Sequence, residues 1–70
     1  MAVRLEFHSM AVNSHKFYEL HEVGRKSGLV LAKWGRVGKA GDEKIYEQGE
    51  ANKKLREKLR KGYVKVAGGL

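Results

Sequence analysis

The sequence predicts a small α+β fold: an antiparallel sheet of four to five strands with one α-helix packed on one face. Three observations lead there. Val3, Leu5 and Phe7 alternate with Arg4, Glu6 and His8, the period of two expected of a strand with one buried face. Glycines bound or space the segments 24–28 and 35–41, which interrupt the apolar runs as turns do. A single stretch, 49–61, repeats apolar residues every four positions, at Ala51, Leu55 and Leu59, which gives one helical stripe.

The elements follow in chain order. After the first strand, Asn13-Ser14 within segment 9–14 marks a turn. Residues 15–23 read as a second strand, with Phe17 and Val23 on one face and Tyr18 and Leu20 on the other. Gly24-Arg25-Lys26-Ser27-Gly28 is a basic hairpin loop. Residues 29–36 form a third strand, apolar on both faces at its start, as a central strand should be. Leu29 and Leu31 share one face with Lys33; Val30 and Ala32 share the other with Trp34 and Arg36. A loop over 37–43 leads to a short fourth strand at 44–48. The helix over 49–61 carries Glu50 in its first turn and Lys58, Arg60 and Lys61 in its last, placements that suit the helix dipole. Gly62 is positioned to end it in the left-handed conformation, with Tyr63 folded back over the last turn. Residues 63–66 add a final short strand, and 67–70 read as a frayed tail. The narrow stripe is expected to cover Leu29 and Leu31, which leaves the Trp34 face open.

Seventy residues make one domain, 1–70, without repeats or an internal linker. A chain of this size buries only about 60% of its unfolded surface and depends on close packing or a partner. It has no cysteine, so it has neither disulfides nor a thiolate metal site. No apolar run approaches the roughly 18 residues of a membrane span, and residues 1–6 lack a signal-peptide core. The expected setting is therefore intracellular, cytoplasmic or nucleoid-associated if bacterial, with no membrane partner. Fifteen Lys and Arg against eight Asp and Glu leave a formal charge of +7, which favours an anionic partner, nucleic acid first. Positive charge also simply keeps a small domain soluble.

Trp34-Gly35-Arg36 is the most informative tripeptide, because an indole beside a guanidinium makes a surface for a nucleotide: the ring stacks and the cation takes phosphate. The tripeptide belongs to a longer pattern. Lys16-Phe17-Tyr18-Glu19-Leu20 precedes it, Val37-Gly38 and Gly41 extend it, and Lys58 followed by Gly62-Tyr63 closes it. In this order and spacing the blocks resemble the WGR domain, the module of poly(ADP-ribose) polymerases responsive to DNA damage and of various bacterial proteins. The match runs from about Lys16 to Val66. The resemblance implies a tryptophan that packs against the sugar at a DNA end and an arginine that serves DNA or partner-domain contacts. Family members commonly place asparagine before the lysine; this chain has His15 there.

The candidate nucleic-acid-binding residues are Lys16, Trp34, Gly35, Arg36, Lys39, Lys58 and Tyr63. Each has a plainer reading. A lone tryptophan in a small domain is ordinarily core, although Arg36 on the same face argues against a dry one. Gly35, Gly38 and Gly41 match neither the dinucleotide fingerprint nor a Walker loop, and a turn with positive φ explains them. Lys53, Lys54, Arg56, Lys58, Arg60 and Lys61 suit a solvated helix face as well as a phosphate-attracting one. His8, His15 and His21 match no zinc spacing. No nucleophile or converging carboxylates are seen, and the transferase domain of the polymerases is missing from this sequence. The expectation is a non-catalytic module with no cofactor and no metal. It would bind DNA at ends or breaks without reading sequence, a DNA damage or repair function. The alternative is a protein–protein or interdomain interaction module, or self-association, through the same Trp34 face.

Overall fold

A computed structural model of the chain describes residues 2–24 and 27–68. The loop bases Arg25 and Lys26, and the last two residues of the expected tail, lie outside the described residues. Five strands, β1 (Ala2–Ser9), β2 (Ser14–Glu22), β3 (Leu29–Arg36), β4 (Asp42–Glu47) and β5 (Val64–Gly68), and one helix, α1 (Gln48–Arg60), account for most of the chain. The strands form one sheet in the order β4-β3-β2-β1-β5, with every neighbouring pair antiparallel.

The β1–β2 hairpin turns through Asn13 at φ 48°, a conformation asparagine tolerates better than most residues. Its register sets Leu5 opposite Tyr18 and Val3 opposite Leu20. β3 then places Trp34 beside Tyr18 and Ala32 beside Leu20. Val3, Leu5, Tyr18, Leu20, Val30 and Ala32 therefore converge on one face, where Ala51 of α1 meets them, and Trp34, Tyr46, Leu55 and Tyr63 pack around this core. Ala32 and Ala51 are both fully buried, and their small side chains let the helix lie close to the sheet.

This corrects two expectations. The helix covers the Val30, Ala32 and Trp34 face rather than Leu29 and Leu31, and Leu29 remains 39% exposed. β3 alone does not decide between its faces; the large residues of β1 and β2 opposite it do. The other face has a different cover. Phe17 is buried there, with the Arg4 guanidinium 4.7 Å from its ring centroid. Arg4 is held by Glu6 at 2.8 Å and Glu19 at 2.5 Å, and those carboxylates raise its pKa above the ordinary arginine value. The helix stripe also differs. Leu59 is 46% exposed, and Lys58 takes the third inward position after Ala51 and Leu55.

β4 begins two residues earlier than expected and runs straight into the helix at Gln48, whose N–H donates to the Gly28 carbonyl at 2.8 Å. The helix exit follows the sequence reading. Gly62 adopts φ 107°; its N–H donates to the Leu59 carbonyl and the Tyr63 N–H to the Lys58 carbonyl. This pair of bonds satisfies two of the helix's last carbonyls. β5 extends into the expected tail and pairs with β1 through a register shift between Arg4 and Leu5.

Candidate nucleic-acid interface

The helix-bearing face does not end at the core. Beyond it lies a strip in which aromatic rings alternate with lysines. Trp34 stacks on Tyr18, with ring centroids 6.2 Å apart and planes 23° from parallel. Lys58 lies over two rings, its Nζ 5.2 Å from the Tyr18 centroid and 5.3 Å from that of Tyr63. Tyr63 in turn packs on Phe7 at 5.5 Å. At the other end of the strip Lys54 and Lys44 approach the Tyr46 ring, at 5.9 and 5.3 Å.

Two shallow concavities flank Lys58. One, of about 180 Å³, is lined by Tyr18, Trp34, Tyr46, Lys54 and Lys58. The second, of about 270 Å³, is lined by Phe7, Lys16, Lys58, Lys61 and Tyr63. Both fall short of the roughly 300 Å³ of a typical small-molecule site. They make an open furrow with a cation in its middle.

The electrostatics reflect this crowding. Burial, and then the neighbouring lysines Lys61, Lys54 and Lys16, push the Lys58 pKa below the usual lysine value, against the opposing pull of Glu57. Burial, aided by Tyr46, Glu57 and Tyr63, pushes the Tyr18 phenol up to about 12. Burial alone raises Tyr63. Both rings thus present neutral phenols among cations, and an anion entering the furrow would relieve the repulsion at Lys58.

The turn after Trp34 is built by backbone contact. A Cβ on Gly35 would sit 2.8 Å from the Gly41 Cα, and one on Gly41, which has φ 72°, would strike the Trp34 carbonyl. The two ends of the turn are therefore pressed together in a way that only glycine permits. The residues of the tripeptide and the turn thus have distinct jobs, and the pattern identifies the chain. A sequence model of the WGR domain matches residues 1–69.

The chain belongs to the WGR-domain family. WGR domains are small binding modules, generally for nucleic acid, and are not catalytic by themselves. A crystal structure of a Bacteroides fragilis protein is similar to this WGR domain over 96% of its length, with 27% identity and a TM-score of 0.75. The present chain spans 20% of that protein. None of the curated proteins compared with the sequence matches it.

The WGR tripeptide itself divides. Trp34 is half-buried near the end of β3, under the helix rather than on an open face, so only part of its ring is accessible. Arg36 is exposed and does not line the Trp34 concavity; it lines another with Asn13, His15 and Val37. Indole and guanidinium nonetheless keep a shared face of β3, because its register with β2 runs unbroken through Gly35 and sets Arg36 opposite Lys16 as it sets Trp34 opposite Tyr18. Lys39 is exposed in the turn, its N–H donating to the Arg36 carbonyl at 3.0 Å. Lys16, Lys58 and Tyr63 converge on one concavity, joined to Trp34 through Tyr18. Tyr18 and Tyr46 are the furrow residues that sequence reasoning missed. The alternation that put Tyr18 with Leu20 marked it as core, and its ring serves both. Among the described residues no helix is long and apolar enough to cross a membrane.

Proposed function

We propose that this WGR domain is a non-catalytic module that binds DNA at ends or breaks, without reading base sequence. The observation that carries the reading is the convergence of Lys16, Lys54, Lys58 and Lys61 on a furrow floored by Tyr18, Trp34, Tyr46 and Tyr63. Lysines grip the backbone through charge, and rings accept the face of a sugar or base whatever its identity. Trp34 offers an exposed edge to a terminal nucleotide, and Lys58, at the centre, meets its phosphate. Arg36 and Lys39 extend the phosphate contacts past Lys16 along the turn. The helix lacks a base-reading polar row, so affinity should be largely sequence-independent.

The test is a titration of the protein with blunt, nicked and closed circular duplex at two salt concentrations. Tighter binding to blunt or nicked duplex, falling steeply with salt, supports the reading. Equal affinity for closed circles refutes the preference for ends. The competing reading is a protein or interdomain contact through the same face. What favours it is the Bacteroides fragilis relative, in which the matched region is a fifth of a longer chain. An apolar contact of that kind would hold as salt rises.

A further inference from the structure

The β1–β2 hairpin ends in a turn whose composition the furrow does not explain. Its residues are Met10, Ala11, Val12 and Asn13, closed by the Asn13 N–H donating to the Met10 carbonyl at 3.4 Å. Tight turns ordinarily take Gly, Pro, Asn, Asp or Ser. Only Asn13 fits that rule here, at φ 48°. Met10 is 90% exposed and Val12 71%, the two most exposed large apolar side chains among the described residues. Val37 lies alongside, its N–H donating to the His15 carbonyl at 3.0 Å, and it too is exposed. Core packing therefore accounts for neither Met10 nor Val12. The surroundings of the tip are positive. Residues 7–18 and 34–41 contain Lys16, Arg36 and Lys39 but no Asp or Glu. Arg36 shares a concavity of about 180 Å³ with Asn13, His15 and Val37, and it is the Cα partner of Lys16, which lines the furrow. A line of cations thus runs from Lys58 through Lys16 to Arg36 and ends at an apolar tip.

We infer that the Met10 and Val12 tip is an apolar wedge that packs on base faces opened at a DNA break, with Arg36 holding the phosphate beside it. The inference rests on the proposal that the furrow binds duplex near such a break. Methionine and other apolar side chains hold DNA by inserting between base steps, at the cost of unstacking each step. In intact duplex that cost opposes insertion. At a nick the stack is already interrupted and the cost is least. The wedge therefore selects breaks by their loosened stacking, whereas the lysines respond only to charge. Its reach suits this role. From Lys16 to Val12 the chain advances at most about 13 Å, at roughly 3.3 Å per residue, which matches about four base-pair rises of about 3.4 Å. A break within that distance of the phosphate at Lys16 meets the tip. Contact with the face of a base ignores its identity, so the wedge adds preference for breaks without preference for sequence. An anionic lipid surface also accepts an apolar loop among cations. The continuity of this tip with an aromatic furrow favours DNA.

The experiment compares wild type with the double variant Met10→Ser, Val12→Ser on a dumbbell duplex, whose hairpin loops leave no free end, used nicked and sealed. A 2-aminopurine beside the nick position brightens when it unstacks, and anisotropy of a separate label reads binding at several salt concentrations. Wild type should brighten the nicked duplex and bind it more tightly than the sealed one. The double variant should lose the brightening and about tenfold or more of the affinity for nicked duplex, the factor for forfeiting the burial of one such side chain. Its salt slope should equal that of wild type, because no cation is removed. Ile45→Ser, at a 53% exposed side chain on the face opposite the helix, is the control and should change neither signal. Circular dichroism checks that each variant keeps its sheet; Met10→Gln, Val12→Thr, closer in shape, replaces the serine variant if that one does not. Unchanged brightening and affinity in the double variant overturn the wedge, while a steep salt slope there still supports the furrow. A flat wild-type slope overturns both. Loss of binding to phosphatidylserine vesicles, with binding to nicked duplex unchanged, makes the tip a lipid anchor and also overturns the inference.

Discussion

Replacing Lys58 by methionine isolates charge from packing. The methionine keeps an unbranched apolar stem against Tyr18 and Tyr63 and removes only the ammonium. Four lysines converge on the furrow, and if each neutralises one phosphate of duplex DNA the log–log salt slope is about −3.6. Raising salt from 50 to 200 mM should then weaken binding by about 150-fold. In Lys58→Met the slope should fall to about −2.7 and the same change of salt should cost only about 40-fold. Fluorescence anisotropy of a labelled blunt duplex, read at five or six salt concentrations, measures both slopes. Lys33 lies on the opposite face beside Glu43, at 3.9 Å, and Lys33→Met is the control; its slope should match wild type. If Lys58→Met and Lys33→Met give the same slope, the phosphate does not lie in this furrow. If the wild-type slope is near zero, the protein-docking reading replaces it.

Three further outcomes test other parts of the structure. Trp34→Ala should lose roughly 1–3 kcal/mol of DNA affinity while leaving the salt slope almost unchanged. Because the ring also packs on Tyr18, urea denaturation should show reduced stability, and Trp34→Phe should restore stability more fully than affinity. Gly38→Ala, at φ 89° but with open space around it, should cost about 1–2 kcal/mol. Gly41→Ala should cost clearly more, since its Cβ strikes the Trp34 carbonyl; equal losses by urea denaturation would contradict the close approach drawn above. Stability should fall as pH rises through the window from 10, the ordinary tyrosine value, to about 12, because the native state holds the Tyr18 proton more tightly than the unfolded chain does. Lys58 acts in the opposite sense below 10.5, since the native state releases its proton more readily, so the alkaline loss should be steeper in Lys58→Met; equal slopes by chemical denaturation at pH 9–12 would show that the two are not linked.

Most of the architecture was legible because its determinants are local. The alternation in β1, the helix stripe and the Gly62-Tyr63 exit each specify an element through neighbours a few residues away. The face that the helix covers was not legible, because β3 reads as apolar on both sides. The decision lies in cross-strand partners, Tyr18 and Leu20 on one side and Phe17 beneath Arg4 on the other. For the same reason the site was read in pieces. Lys16, Trp34, Lys58 and Tyr63 could be named from the family pattern, but the way Lys58 bridges the Tyr18 and Tyr63 rings depends on its taking the inward place that Leu59 was expected to hold.

The pairing of β5 with β1 also decides how the module joins other sequence. Val3 and Gly68 are Cα partners, so the chain enters and leaves at one corner of the sheet, on adjacent antiparallel strands. A host protein could receive the whole fold within a surface loop, with little change in the loop's span. Segments attached at the two ends would begin as close neighbours, away from the tight turn after Trp34. By the same geometry a short linker could join the two ends, and the β1–β2 hairpin tip around Asn13 could serve as the new opening.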